Sequence, residues 1–115
     1  MAKKTVDLTL EVKKTGMIKV KVNPYQRHIS LKGNDRVEFK LNGDITYVEI
    51  EFKGGYWPFP GPKKVLQGGG NILTPYIDQN DVEDEEYNYG ITMYFDDFNG
   101  VERSVTIDPD MVIDS

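Results

Sequence analysis

The chain has 115 residues, 38% hydrophobic and 29% charged, proportions that fit one soluble globular domain spanning 1–115 with a single core. No stretch approaches the roughly 20 apolar residues that a membrane helix requires, and the lack of cysteine excludes disulfides, thiolate metal sites, iron–sulfur clusters and a Cys nucleophile. The net charge of −5 speaks against a nucleic-acid partner, because phosphate backbones are held by Lys and Arg.

That charge is unevenly spread. Residues 1–64 hold 13 Lys+Arg against 7 Asp+Glu, whereas residues 65–115 hold Arg103 against 12 acids. The start, Met1-Ala2-Lys3-Lys4, has no apolar h-region of a secretory signal, so the expected location is cytoplasmic.

In chain order, almost every segment alternates with period two, the pattern of strands with one buried face. Val6, Leu8, Leu10 and Val12 share one face and Asp7, Thr9 and Glu11 the other. Lys13-Lys14-Thr15-Gly16 reads as a turn into a second strand with Ile18, Val20 and Val22, which Asn23-Pro24 stops because proline offers no N–H to a ladder. Ile29-Ser30-Leu31 and the turn Gly33-Asn34-Asp35 lead to Val37, Phe39 and Leu41. Asn42-Gly43 is a hairpin signal, and Val48, Ile50 and Phe52 continue the inward face beyond it. The rhythm then stops. Residues 53–86 read as one long irregular loop, rich in Pro, Gly and acids, and a loop of that length within one domain is either functional or partly structured. Alternation returns with Tyr87, Tyr89, Ile91, Met93 and Phe95, turns at Asn99-Gly100, runs back from Glu102 to Ile107, and ends in a short strand from Met111 to Ile113. No helical period of ten residues occurs. The expected fold is an all-β, antiparallel β-sandwich of about 7–9 strands.

The order of "HISLKGNDRVEFKL", "ITYVEIEF", a long excursion, the Tyr-rich "YNYGITMYF" and a closing "VERSVTIDP" resembles the cupredoxin-like β-sandwich superfamily. There a Tyr-rich strand pairs with the C-terminal strand; an immunoglobulin-like Greek key fits nearly as well. The resemblance implies a sandwich fold and not a copper site. A blue-copper centre takes two His, a Cys thiolate and a weak axial ligand, while this chain has no Cys, a single His28 lying before the "ISLKGNDRVEF" stretch, and a Met93 with neither thiolate nor imidazole beside it. No cofactor is expected.

The chemistry-bearing residues are sparse. His28 alone makes neither a triad nor a metal site, and no G-x-S-x-G elbow occurs. Asp78 to Glu86 is dense in carboxylates, and Asp78, Asp81, Glu83 and Asp84 could offer oxygens to Ca²⁺, but the spacing and glycine of an EF-hand are missing, so a solvated acidic loop is preferred. Asp96 and Asp97 form a poor acid–base pair beside a hairpin turn. Gly68-Gly69-Gly70 lacks the Lys-Ser/Thr and the helix of a phosphate loop. Tyr56, Trp57 and Phe59, spaced by prolines, are either an exposed aromatic platform or, the favoured reading for Trp57 and Phe59, a plug closing one end of the core, with Tyr56 and Tyr94 left as exposed rings.

The expectation is a non-catalytic binding or assembly module, with protein–protein contacts made through the 53–86 loop to another protein or a second copy. A carbohydrate or small-ligand receptor using Tyr56, Trp57 and Phe59 is the alternative. A metal-dependent hydrolase resting on the acidic loop ranks third.

Overall fold

The computed structural model describes residues 3–30, 35–53, 57–77 and 86–114, with backbone alone for 26–30, 86, 110 and 112–114. They form ten strands and no helix: β1 (Lys3–Val12), β2 (Ile18–Asn23), β3 (Gln26–Ser30), β4 (Arg36–Gly43), β5 (Ile45–Phe52), β6 (Leu66–Gly68), β7 (Ile72–Leu73), β8 (Glu86–Asp96), β9 (Glu102–Ile107) and β10 (Asp110–Asp114). Two sheets pack on each other, one ordered β2-β1-β4-β7 and the other β3-β10-β8-β5-β6.

The two-residue rhythm decides what each sheet buries. From the first sheet come Val6, Leu8, Leu10, Val37 and Phe39, and from the second Val48, Ile50, Phe52, Tyr89, Ile91 and Met93, all fully buried. β9 and β10 lie end to end along one edge of β8, which explains why β8 is long: β10 pairs with Glu86–Asn88 and β9 with Ile91–Asp96. Between them Tyr89 N donates to Pro109 O at 3.2 Å. This end-to-end arrangement gives a body of 48 × 22 × 20 Å.

The expectation of uniformly antiparallel pairing needs correction. β1 runs parallel to β4, with Lys3 opposite Arg36 and Leu10 opposite Gly43, and β10 runs parallel to β3. The cause is topological. After β2 the chain leaves the first sheet, pairs in the second as β3, and returns as β4, and such a crossover is what parallel neighbours demand.

The irregular loop expected over 53–86 is also corrected, because part of it supplies an edge strand to each sheet. β6 pairs with Val48–Ile50 of β5, and β7 with Glu38–Phe39 of β4. Gly68-Gly69-Gly70 closes the step from β6 to β7 rather than waving free. Beyond β7 the chain stays strapped to β4: Thr74 N donates to Val37 O at 2.8 Å, Val37 N donates to Thr74 Oγ1 at 2.9 Å, and Ile77 N donates to Asp35 O at 2.8 Å. Arg36 reinforces the strap by donating to Thr74 O from Nε and Nη2 and lying 4.4 Å over the Tyr76 ring. Buried Thr74 therefore has its polar groups answered, as an interior hydroxyl must.

At the β8–β9 turn, Asp97 accepts from the N–H groups of Asn99 and Val101 and from Arg103 Nε, each at 2.9 Å. The bond from Arg103, followed by that from the Val101 N–H, holds its carboxyl below the usual carboxylate range. A depressed folded-state pKa stabilises above the unfolded value, about 3.9, and that contribution is lost as pH falls through the folded value. Asp97→Asn is thus expected to lower the urea midpoint at pH 7, with the gap from wild type closing below about pH 4. A gap independent of pH would show that the charge has no part in the turn.

Candidate functional site: the outer face of the second sheet

The aromatic stretch that invites a platform reading turns inward where it is described. Phe59 is 2% exposed and Trp57 is half-buried against the core. Phe52 lies at the centre, 5.6 Å from Trp57 and 5.7 Å from Phe59 in edge-on contacts, and 5.3 Å from Tyr89 in a stacked one. Trp57 and Phe59 also meet edge to face at 5.2 Å. Rings engaged this way have little face left for a sugar. This is the plug arrangement, and its cost is visible at Trp57 Nε1, which is enclosed with no hydrogen-bond partner among the described residues.

Other sequence candidates fall elsewhere. Tyr56 and the calcium candidates Asp78, Asp81, Glu83 and Asp84 lie outside the described residues. His28 sits on β3 opposite Val112, with its side chain outside the description. Met93 is a core residue, Asp97 is committed to the β8–β9 turn, and Asp96 points away on the sheet's outer side. Among the described residues no cluster of three or more His, Cys, Asp or Glu is placed to hold a metal ion, and no helix is long and apolar enough to cross a membrane.

What the fold does assemble is a surface that the sequence reading only touched through Tyr94. On β5, β8 and β9 the residues alternating with the core point outward, and the register sets them in rows. Gln67, Glu49, Thr92 and Thr106 form one row; Tyr47, Tyr94 and Ser104 form the next. Cross-strand pairs fix both rows. Tyr94 Oη donates to Glu49 Oε1 at 2.7 Å and Tyr47 Oη donates to Gln67 Oε1 at 3.1 Å. The two tyrosine rings meet edge to face at 6.0 Å, and the hydroxyls of Thr92 and Thr106 are 3.0 Å apart.

Two shallow hollows adjoin at Glu49. One, of about 400 Å³, is lined by Thr46, Tyr47, Glu49, Tyr94 and Glu102. The other, of about 220 Å³, runs over Gly90, Thr92 and Thr106 between Glu51 and Asp108. Its floor is low because Gly90 has no side chain: a Cβ there would come within 3.4 Å of Asp108 Oδ1. Carboxylates dominate, with Glu49, Glu51, Glu102 and Asp108 set against Lys53, and Lys53 Nζ is bound to Asp108 Oδ1 at 2.8 Å.

The chemistry of this face is that of recognition. The hydrogen bond to Glu49, aided by burial and the Glu49 charge, pushes the Tyr94 phenol above its ordinary value, so Tyr94 keeps its proton and acts as a donor instead of a base. The missed members, Tyr47, Glu49, Gln67, Thr92 and Thr106, had a signal in sequence, namely the outward phase of the same alternation that defines the core. Their neighbourhood depends on register, which alternation within a single strand does not specify.

Comparison with known proteins yields no matching family model, no matching curated protein and no matching solved structure.

Proposed function

We propose that the chain is a non-catalytic binding module that holds a protein partner on the outer face of the β9-β8-β5-β6 layer. The 53–86 excursion contributes the rim of this surface through Val65 and Gln67. The carrying observation is that this carboxylate-rich, tyrosine-bearing face has no described element lying over it, while Tyr47, Gln67, Tyr94, Glu49, Thr92 and Thr106 are held in cross-strand pairs. Side chains ordered before contact lose less entropy on binding. Clustered carboxylates recruit cationic partners by steering and complementarity.

The scaffold belongs to the same proposal: a cupredoxin-like sandwich without copper. Supporting it is the Tyr-rich β8, which pairs with both β9 and β10 at the C-terminal end. The sugar-receptor reading finds less support, since Trp57 and Phe59 give their ring faces to the core.

The test uses a fluorescent lysine-rich peptide and anisotropy. Binding is expected at about 20 mM salt, weakened tenfold or more by Glu49→Gln with Glu51→Gln and Glu102→Gln, and weakened again at about 300 mM salt, where screening shortens the range of exposed charges. Equal binding by the triple variant would remove this face as the contact surface.

A further inference from the structure

We infer that the partner of the acidic face is a second copy of this chain, which docks through the outer face of its first sheet. This rests on the binding reading above and names its partner.

The outward residues of the first sheet carry the opposite charge. β2 presents Lys19 and Lys21, β1 presents Lys3, and β4 presents Arg36 and Lys40, against Asp7, Glu11 and Glu38. Two of those acids are already answered within the chain: Glu38 Oε1 lies 3.4 Å from Lys3 Nζ and 4.0 Å from Lys40 Nζ, and Glu11 is bound to Lys13 at 2.7 Å. Lys21 and Lys19 are in no ion pair within 4 Å among the described residues, although Lys19 lies opposite Glu11 across the ladder and its charge, after the bond from Lys13, helps hold that carboxyl low. The body therefore has one basic and one acidic side, a division set by which strands share a sheet and not by the halves of the chain, since Glu49 and Glu51 of the acidic side belong to residues 1–64. Each side is the outer surface of one of the two packed sheets, so the two sides face away from each other.

That geometry has a consequence for assembly. A molecule cannot bring its own two faces together, but the acidic side of one copy can lie on the basic side of the next. Such a contact is heterologous, and each added copy presents a fresh face of either kind, so the association is open-ended rather than a closed pair. Size permits it. The two longer dimensions, 48 and 22 Å, bound a face of about 1,000 Å², compared with roughly 800 Å² per partner in a standard interface. The contact is polar, and exposed ion pairs are individually weak, so it forms at high concentration and dissolves in salt.

Sedimentation velocity on the full chain tests this. At about 20 mM salt the weight-average mass is expected to rise twofold or more with concentration and to return to the monomer at about 500 mM salt. One variant carries Glu49→Lys, Glu51→Lys and Glu102→Lys; another carries Lys19→Glu, Lys21→Glu and Lys40→Glu. Each alone is expected to stay monomeric. A chain carrying both sets keeps the wild-type net charge with its faces exchanged, and is expected to associate again. A wild-type chain that stays monomeric at low salt, or a doubly exchanged chain that does not recover, overturns the inference. If the wild-type chain is monomeric yet its acidic face still binds the lysine-rich peptide, the second copy is refuted and the binding reading stands. If it does neither, both fall.

Discussion

Phe52→Ala is expected to lower stability by about 3–5 kcal/mol, the range for emptying a fully enclosed aromatic site. Phe52 has no exposed surface and lies at the centre of a ring cluster, stacked on Tyr89 and edge-on to Trp57 and Phe59. Its removal does more than open a void. Trp57 and Phe59 are the anchors by which the excursion after β5 is held to the core, and both contact Phe52 directly. Against a total stability of roughly 5–15 kcal/mol, such a loss puts the variant near the edge of folding. Urea titration would read the midpoint, and Trp57 emission would read the excursion, with a shift to the red expected before global unfolding. Phe52→Leu keeps most of the volume and is expected to cost less than about 2 kcal/mol. An alanine variant within about 1 kcal/mol of wild type would mean that these rings do not fasten the excursion.

The contrast between Phe52 and Trp57 shows which parts of the fold can be read from the sequence. Phe52 ends a strict alternation with Val48 and Ile50, so its inward direction follows from period two alone. Trp57 and Phe59 follow glycines and alternate with prolines, where no period applies, and a preference for the plug could rest only on the cost of exposing large apolar rings. The short strands β6 and β7 were hidden for a different reason. "LQG" and "IL" have no strand signal of their own, and they become strands because the edges of β5 and β4 offer unpaired N–H and C=O groups to any backbone that passes. The parallel β1–β4 pair likewise follows from the chain's detour through β3, a non-local fact. The candidate face was half legible: Tyr94 and the outward Glu49 could be assigned to the wet side, but the bond between them joins residues 45 apart in sequence. The separation of basic and acidic halves was plain in the composition. The two charged faces do not follow that split, because Glu49 and Glu51 come from the basic half, and they became visible only once it was known which strands share a sheet.

Gly43 provides the second large expected effect, and the sequence marked the position without revealing the main reason for it. Asn42-Gly43 reads as a hairpin signal, but β4 and β5 lie in different sheets and do not pair, so the turn carries the chain around a corner from one sheet to the other. Gly43 there has φ of 80°, in the left-handed region that a side chain disfavours by about 1–2 kcal/mol. The structure adds a neighbour. Because β1 runs parallel to β4, Leu10 lies opposite Gly43, and a Cβ at Gly43 would strike the Leu10 carbonyl oxygen. That oxygen is fixed, since it accepts from Asp44 N at 2.7 Å, while Asp44 Oδ2 accepts from Val12 N at 2.8 Å. Backbone held from both sides cannot move aside as a flexible side chain would. Gly43→Ala is therefore expected to cost about 3–4 kcal/mol, combining the conformational penalty with a steric one of the size seen for overpacked sites. Gly100 is the internal control: its φ is 77°, yet nothing lies within 4 Å of its would-be Cβ, so Gly100→Ala is expected to cost only about 1–2 kcal/mol. The difference between the two urea-derived values isolates the contact between the β4–β5 turn and β1. Equal losses at the two glycines would mean that β1 does not approach the turn as the parallel register requires, and the basic face built on that register would fall with it.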